Sequence, residues 1–132
     1  MTATETALFV VGAHRQGQPL NHELTSRGAR LAGTLRTTPD YRLHALATNP
    51  PKPGLVRVAS GGAAIEGELW TLAEAALGSF AAALPQPMAL VRVTLEDGRG
   101  VVGFTCEAVA LAGAPDISSH GSWPAYLADA AR

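Results

Sequence analysis

The sequence predicts an α+β fold, a small barrel of about six or seven short strands with one main helix and a helical turn near the C-terminus. Three observations carry this expectation. Short apolar or alternating segments recur along the chain without regular helices between them, which argues against a doubly wound sheet. One stretch, Ala73 to Leu84, is alanine-rich with Leu77, Phe80 and Leu84 at helical spacing. One hairpin, residues 89–106, is marked by Asp97-Gly98 between two apolar runs. The 132 residues suit a single domain, 1–132, with room for a real core.

In chain order, residues 7–12 read as a buried first strand, apolar and β-branched at Val10 and Val11. A polar loop, 13–20, follows the glycine that ends it. Asn21-His22-Glu23-Leu24 reads as a helical turn capped by Asn21. Residues 30–38 read as a strand, because Gly33 disfavours a helix and the threonines favour extension. Tyr41 to Leu46 alternates cleanly and is a strand. Thr48 to Gly54, with three prolines, is read as a loop that cannot pair in a sheet. Residues 55–58 and 64–72 are strands separated by a turn at Ser60-Gly61-Gly62. Pro85 and Pro87 end the helix. The hairpin turn is expected to be of type I′, with Asp97 and Gly98 both at positive φ. A helix or turn closes the chain near Trp123 to Ala131.

Composition narrows the function. The net charge is −1, Lys52 is the only lysine, and the arginines are scattered. Nucleic-acid binding needs a concentrated basic face, so no such partner is expected. No apolar run approaches the length of a membrane span. Met1 to Glu5 lacks the pattern of a signal peptide, so the default expectation is a cytoplasmic protein. The single cysteine, Cys106, rules out an internal disulfide and reads as a small buried hydrophobe. The four histidines are too dispersed for a zinc motif, and no metal is expected.

The strongest functional signal is Ala7 to Asn21, an apolar run that stops at Gly12 and opens into Ala13-His14-Arg15. Glycine lets backbone approach a ligand, and successive N–H groups can converge on an anion. His14 is the prime catalytic candidate, since a free imidazole titrates at about pH 6.5; a solvated loop histidine is the alternative. Arg15 is either a ligand contact or a solvated charge, and Asn21 either a ligand contact or a helix cap. Glu66, Glu68 and Trp70 share one strand face. If that face lines the interior, one of the two carboxylates is partly buried; an outward, solvated face is the alternative. Tyr41 either offers its hydroxyl to the pocket or packs in the core. Trp123 and Tyr126 are expected to pack the terminal helix.

Several motifs, in order, resemble the γ-glutamylcyclotransferase-like fold, and more narrowly the C-terminal domain of allophanate hydrolase. They are Val11-Gly12-Ala13-His14 with Gly17-Gln18-Pro19-Leu20-Asn21; Thr38-Pro39-Asp40-Tyr41-Arg42-Leu43; Pro53-Gly54-Leu55-Val56-Arg57-Val58 leading to Gly62-Ala63-Ala64-Ile65-Glu66; Val93-Thr94-Leu95 with Asp97-Gly98-Arg99 and Gly103-Phe104-Thr105-Cys106-Glu107; and Asp116-Ile117 with Gly121-Ser122-Trp123. Cyclotransferases of this fold place a catalytic carboxylate just after the main helix. Here that position falls near Ala81, and no Asp or Glu occurs between Glu74 and Glu96. Cyclisation of a γ-glutamyl amine needs such a base, so that activity is disfavoured unless Glu66 or Glu68 supplies it.

The resemblance to the hydrolase domain implies decarboxylation of N-carboxycarbamate, the second step of allophanate breakdown to ammonia and carbon dioxide, without amidase activity or a cofactor. It implies His14 as general acid/base, and Gly12, Ala13, Arg15, Pro19, Leu20, Asn21, Tyr41 and Glu68 as substrate contacts. It further implies a small dicarboxylate-like substrate, an amidase domain or chain as partner, and a homodimer. A non-catalytic assembly module for an amidase is the alternative from another class.

Overall fold

Strand β1 (Glu5–Val10) sits at the centre of the fold because its apolar run can be buried on both faces. Leu8 and Val10 enter one cluster with Leu24, Trp70, Leu72, Phe80 and Phe104. Phe9 and Val11 enter the other, with Tyr41, Leu43, Leu55, Ile65, Val93 and Trp123. Alternate side chains of one strand thus feed two cores. The computed structural model describes residues 4–132.

The remaining elements are α1 (His22–Thr25), β2 (Arg30–Arg36), β3 (Tyr41–Leu46), β4 (Lys52–Arg57), β5 (Glu66–Ala73), α2 (Glu74–Ala82), β6 (Met88–Thr94), β7 (Gly100–Cys106) and α3 (Trp123–Ala130). Five strands form one mixed sheet in the order β2-β5-β1-β7-β6, and β3 and β4 form a separate antiparallel ribbon. β1 runs antiparallel to β5 and parallel to β7. The α+β expectation therefore holds, but the sheet is not closed into a barrel. Its edges touch at one end only, through the Thr37–Leu95 bridge and the bonds Thr38 N–H to Thr94 O (3.0 Å) and Glu96 N–H to Arg36 O (2.9 Å). The ribbon is tied to that end by Tyr41, whose Oη accepts from Thr94 N–H at 3.0 Å.

Two local expectations are corrected. The segment read as unable to pair contains the start of β4, where Pro53 lies opposite Ala45 and Gly54 opposite His44. The N–H of Ala45 turns away, to Pro115 O, so the missing N–H of Pro53 falls outside the ladder, on an edge. The hairpin turn is not type I′, because no residue other than glycine has positive φ among the described residues. Gly98 N–H instead donates to Leu95 O (2.9 Å), Gly98 takes φ +94°, and Leu95 N–H donates to Arg99 O (2.8 Å). This is a type I turn followed by a left-handed glycine, the common three-residue hairpin. The Asp97 carboxylate accepts from Arg99 N–H (3.0 Å) and Arg99 Nε (2.9 Å) in that geometry.

Gly67 is required by close approach. A Cβ there would lie 2.5 Å from Phe9 Cζ and 2.7 Å from Val10 O. Phe9 is fully buried and the second contact is backbone, so neither can move aside cheaply. Gly67→Ala is expected to destabilise the fold by about 2–3 kcal/mol, read as a lower urea midpoint. An unchanged midpoint would show that this strand pair can separate freely.

Candidate functional site

The chain leaves β1 at Val11 and makes a compact loop stitched by its own backbone. Arg15 N–H donates to Gly12 O (3.0 Å), Gln18 N–H to Arg15 O (3.0 Å) and Leu20 N–H to Ala13 O (2.8 Å). Asn21 does not cap α1 with its side chain; its Nδ2 donates to His14 O at 2.8 Å. From β5, Glu68 Oε1 accepts from Gln16 N–H at 2.7 Å. The carbonyls of residues 12 to 15 are thereby held. The N–H groups of Gly12, Ala13 and His14 find no acceptor among the described residues.

Those residues line a small cleft, closed by Val10, Val11, Lys52, Pro53, Met88 and Phe104. It has room for about one water molecule. Gly12 sits under Pro53, where a Cβ would come within 2.2 Å of Pro53 Cδ. Glycine at 12 is therefore needed for contact with the ribbon.

His14 is only 4 % exposed. Its ring lies between Phe80 of α2 (centroids 5.1 Å apart, edge to face) and Phe104 of β7 (4.9 Å). Nε2 is 2.7 Å from Glu23 Oε1 of α1. With that hydrogen bond donated by Nε2–H, Nδ1 is the free nitrogen, and it has no partner among the described residues. Burial pushes the His14 pKa below 6.5, while the bond to Glu23 pulls it up and the Lys52 ammonium and His22 push it further down. Arg27 fastens this corner: its Nη1 donates to Glu23 O (2.9 Å), its Nε to Ser79 Oγ (3.2 Å), and it lies over the Phe80 ring.

The sign of the pH effect follows. The folded state prefers neutral His14, so the unfolded chain takes the proton first as pH falls past about 6.5. This contribution to stability is complete above that pH and is lost as pH drops toward the lowered folded-state value. The melting temperature of the wild type should fall more steeply than that of His14→Gln between about pH 7 and 5.5. Parallel curves would contradict the lowered value.

Two residues of this corner were not singled out from the sequence. Glu23 is nine positions from His14 and was read only as part of a helical turn. Lys52 falls in the segment read as a loop, yet it is 6 % exposed and lines the cleft, and its side chain has no hydrogen bond or ion pair among the described residues.

The other predicted contacts lie elsewhere. Arg15 is buried, with Nη2 2.8 Å from Glu66 Oε1 and Nε 3.6 Å from Glu68 Oε2. It is an internal cation of the loop, neither solvated nor facing the cleft. The strand face of Glu66, Glu68 and Trp70 points inward at Glu68, which is 6 % exposed and also accepts from Trp70 Nε1 at 3.2 Å. Both carboxylates are committed to Arg15 and the loop, and neither lines the cleft, so neither replaces the missing cyclotransferase base. Tyr41 is buried in the second core and lines a separate groove with Arg57 and Arg92. Pro19 and Leu20 shape the loop without lining the cleft, as does Asn21. Among the described residues no group of histidine, cysteine or carboxylate side chains is arranged to hold a metal.

Residues 6–128 match the family described as allophanate hydrolase C-terminal domain. The chain belongs to that family. It is 37 % identical over 130 residues to urea amidolyase of Saccharomyces cerevisiae, covering 95 % of this chain and 7 % of that protein. It thus spans under a tenth of the curated relatives it matches. Among solved structures, the Kluyveromyces lactis urea amidolyase superposes with a TM-score of 0.91 at 34 % identity, over 96 % of this chain and 8 % of that one. A uropathogenic Escherichia coli-specific protein superposes at 0.89 with 31 % identity, over 95 % of this chain and 97 % of that one. Similarity to a γ-glutamyl cyclotransferase structure, 12 % identical with a TM-score of 0.56, shows the fold alone. No helix among the described residues is long and apolar enough to cross a membrane.

Proposed function

We propose that the chain carries out the decarboxylation of N-carboxycarbamate, the second step of allophanate breakdown, in partnership with an amidase that produces this compound. The observation that carries the reading is the buried His14–Glu23 pair beside a cleft whose three successive N–H groups are unbonded. The names of the relatives, urea amidolyase and allophanate hydrolase, support the same chemistry and a place in urea breakdown.

The reaction consumes one proton. N-carboxycarbamate, a dianion, breaks one C–N bond, releases carbon dioxide, and leaves the bonding pair on nitrogen. That nitrogen takes the proton, giving carbamate. The N–H groups of Gly12, Ala13 and His14 can hold one carboxylate, as preorganised donors aimed at an anion. Protonated His14 can deliver its proton from Nδ1 while Glu23 holds the opposite nitrogen and stabilises the imidazolium. A cleft this small admits the substrate only when the unbranched side chains of Lys52 and Met88 shift.

The test supplies N-carboxycarbamate from allophanate with an isolated amidase and follows carbon dioxide release with and without this chain. The compound also decays unaided, so the reading requires a rate that rises in proportion to added protein. A rate equal to the unaided one overturns it.

A further inference from the structure

We propose that Lys52 takes the second carboxylate of the substrate, and that its neutralisation by that carboxylate is what lets His14 load the proton it delivers. The inference rests on the decarboxylation reading and deepens it.

Lys52 is the only lysine in the chain and is nine-tenths buried, a state in which an ammonium is almost always paired. It has no hydrogen-bond or ion-pair partner among the described residues, and it lines the same cleft as His14. The side chain is buried, but its ammonium nitrogen is not fully enclosed, so a carboxylate entering the cleft can reach it and pair with it. The other nearby cation cannot serve, because Arg15 is held by Glu66 and Glu68. The backbone donors at residues 12 to 14 suit one carboxylate, which leaves Lys52 for the second.

The same placement links binding to proton loading. The groups facing His14 are Glu23 and His22 from the α1 segment, Lys52 from β4, and the rings of Phe80 and Phe104. In the free protein the aromatic walls and the Lys52 charge both disfavour an imidazolium. A dianion seated between the backbone donors and Lys52 removes the repulsion and adds negative charge. His14 then takes up a proton from solvent on binding and holds it for the C–N bond that breaks. A monoanion held by the backbone donors alone leaves Lys52 uncompensated.

The experiment follows the His14 ring by NMR across pH in wild type, Lys52→Met and Lys52→Arg, each free, with malonate and with acetate. Malonate, a dicarboxylate of similar shape, is expected to bind Lys52→Met at least about tenfold more weakly than wild type. It should raise the His14 titration midpoint in wild type and not in Lys52→Met. Free Lys52→Met should titrate at higher pH than free wild type, and Lys52→Arg should restore the wild-type pattern. Acetate should leave the midpoint unmoved. If Lys52→Met does not fold, Lys52→Gln is measured in its place. Equal malonate affinity in wild type and the uncharged variant, an unchanged midpoint, or a wild type that ignores malonate overturns the inference. The decarboxylation rate of wild type is measured separately, so the reaction can stand where the lysine role falls.

Discussion

Replacing His14 by glutamine is expected to lower the protein-dependent rate of carbon dioxide release by about 10²- to 10⁴-fold, the range for loss of a positioned general acid. Glutamine preserves an amide that can still meet Glu23, but it cannot carry a proton to nitrogen. The fold should survive, because the two flanking rings, Phe80 and Phe104, also pack edge to face on each other, with centroids 5.8 Å apart. Circular dichroism and the urea midpoint check this independently of the rate. Glu23→Gln should show a smaller loss together with a shifted pH profile, since that side chain orients the ring without touching substrate. Undiminished release by a folded His14→Gln protein would remove His14 from the reaction.

The second large effect falls on stability. Glu68→Ala is expected to cost about 3–5 kcal/mol, the range for removing one partner of a buried ion pair. The carboxylate accepts from Gln16 N–H and Trp70 Nε1 and faces Arg15 Nε, all in a buried setting. Its loss strands two donors and leaves the Arg15 guanidinium with Glu66 alone. The loop that presents His14 would loosen with it, so malonate binding should weaken as well. Glu68→Gln keeps an acceptor for Gln16 and should lose less. A urea midpoint for Glu68→Ala within about 1 kcal/mol of wild type would mean that the loop does not depend on this anchor.

Much of the architecture was readable in local pattern. The alternation of Tyr41 to Leu46 marks β3 to the residue, and the alanine-rich run with Phe80 inward marks α2. His14 was legible because a glycine and a polar loop ended an apolar strand. What local pattern could not show was which distant groups meet His14. Glu23 reaches it only because the loop and the four-residue α1 double the chain back. Lys52 was hidden by its prolines, which argue against a strand except at an edge, where their lack of N–H is harmless. Arg15 and Glu68 show the converse. A charged residue next to a histidine, and a carboxylate on a strand, invite a functional reading. Only three-dimensional packing reveals that the two are buried together as an ion pair inside the fold.

The gap in the sheet bears on what holds the wall beside His14. β4 is hydrogen-bonded to β3 alone, so its outer edge carries no ladder to another strand. Lys52 and Pro53, which wall the cleft, lie on that strand, and Pro53 presses on Gly12. A sealed barrel would fasten this wall from both sides. Here the ladder holds it from one side only, and Leu43 and Leu55, both fully buried in the second core, hold it from beneath. The wall beside the imidazole is thus kept in place by side-chain packing, not by a second strand.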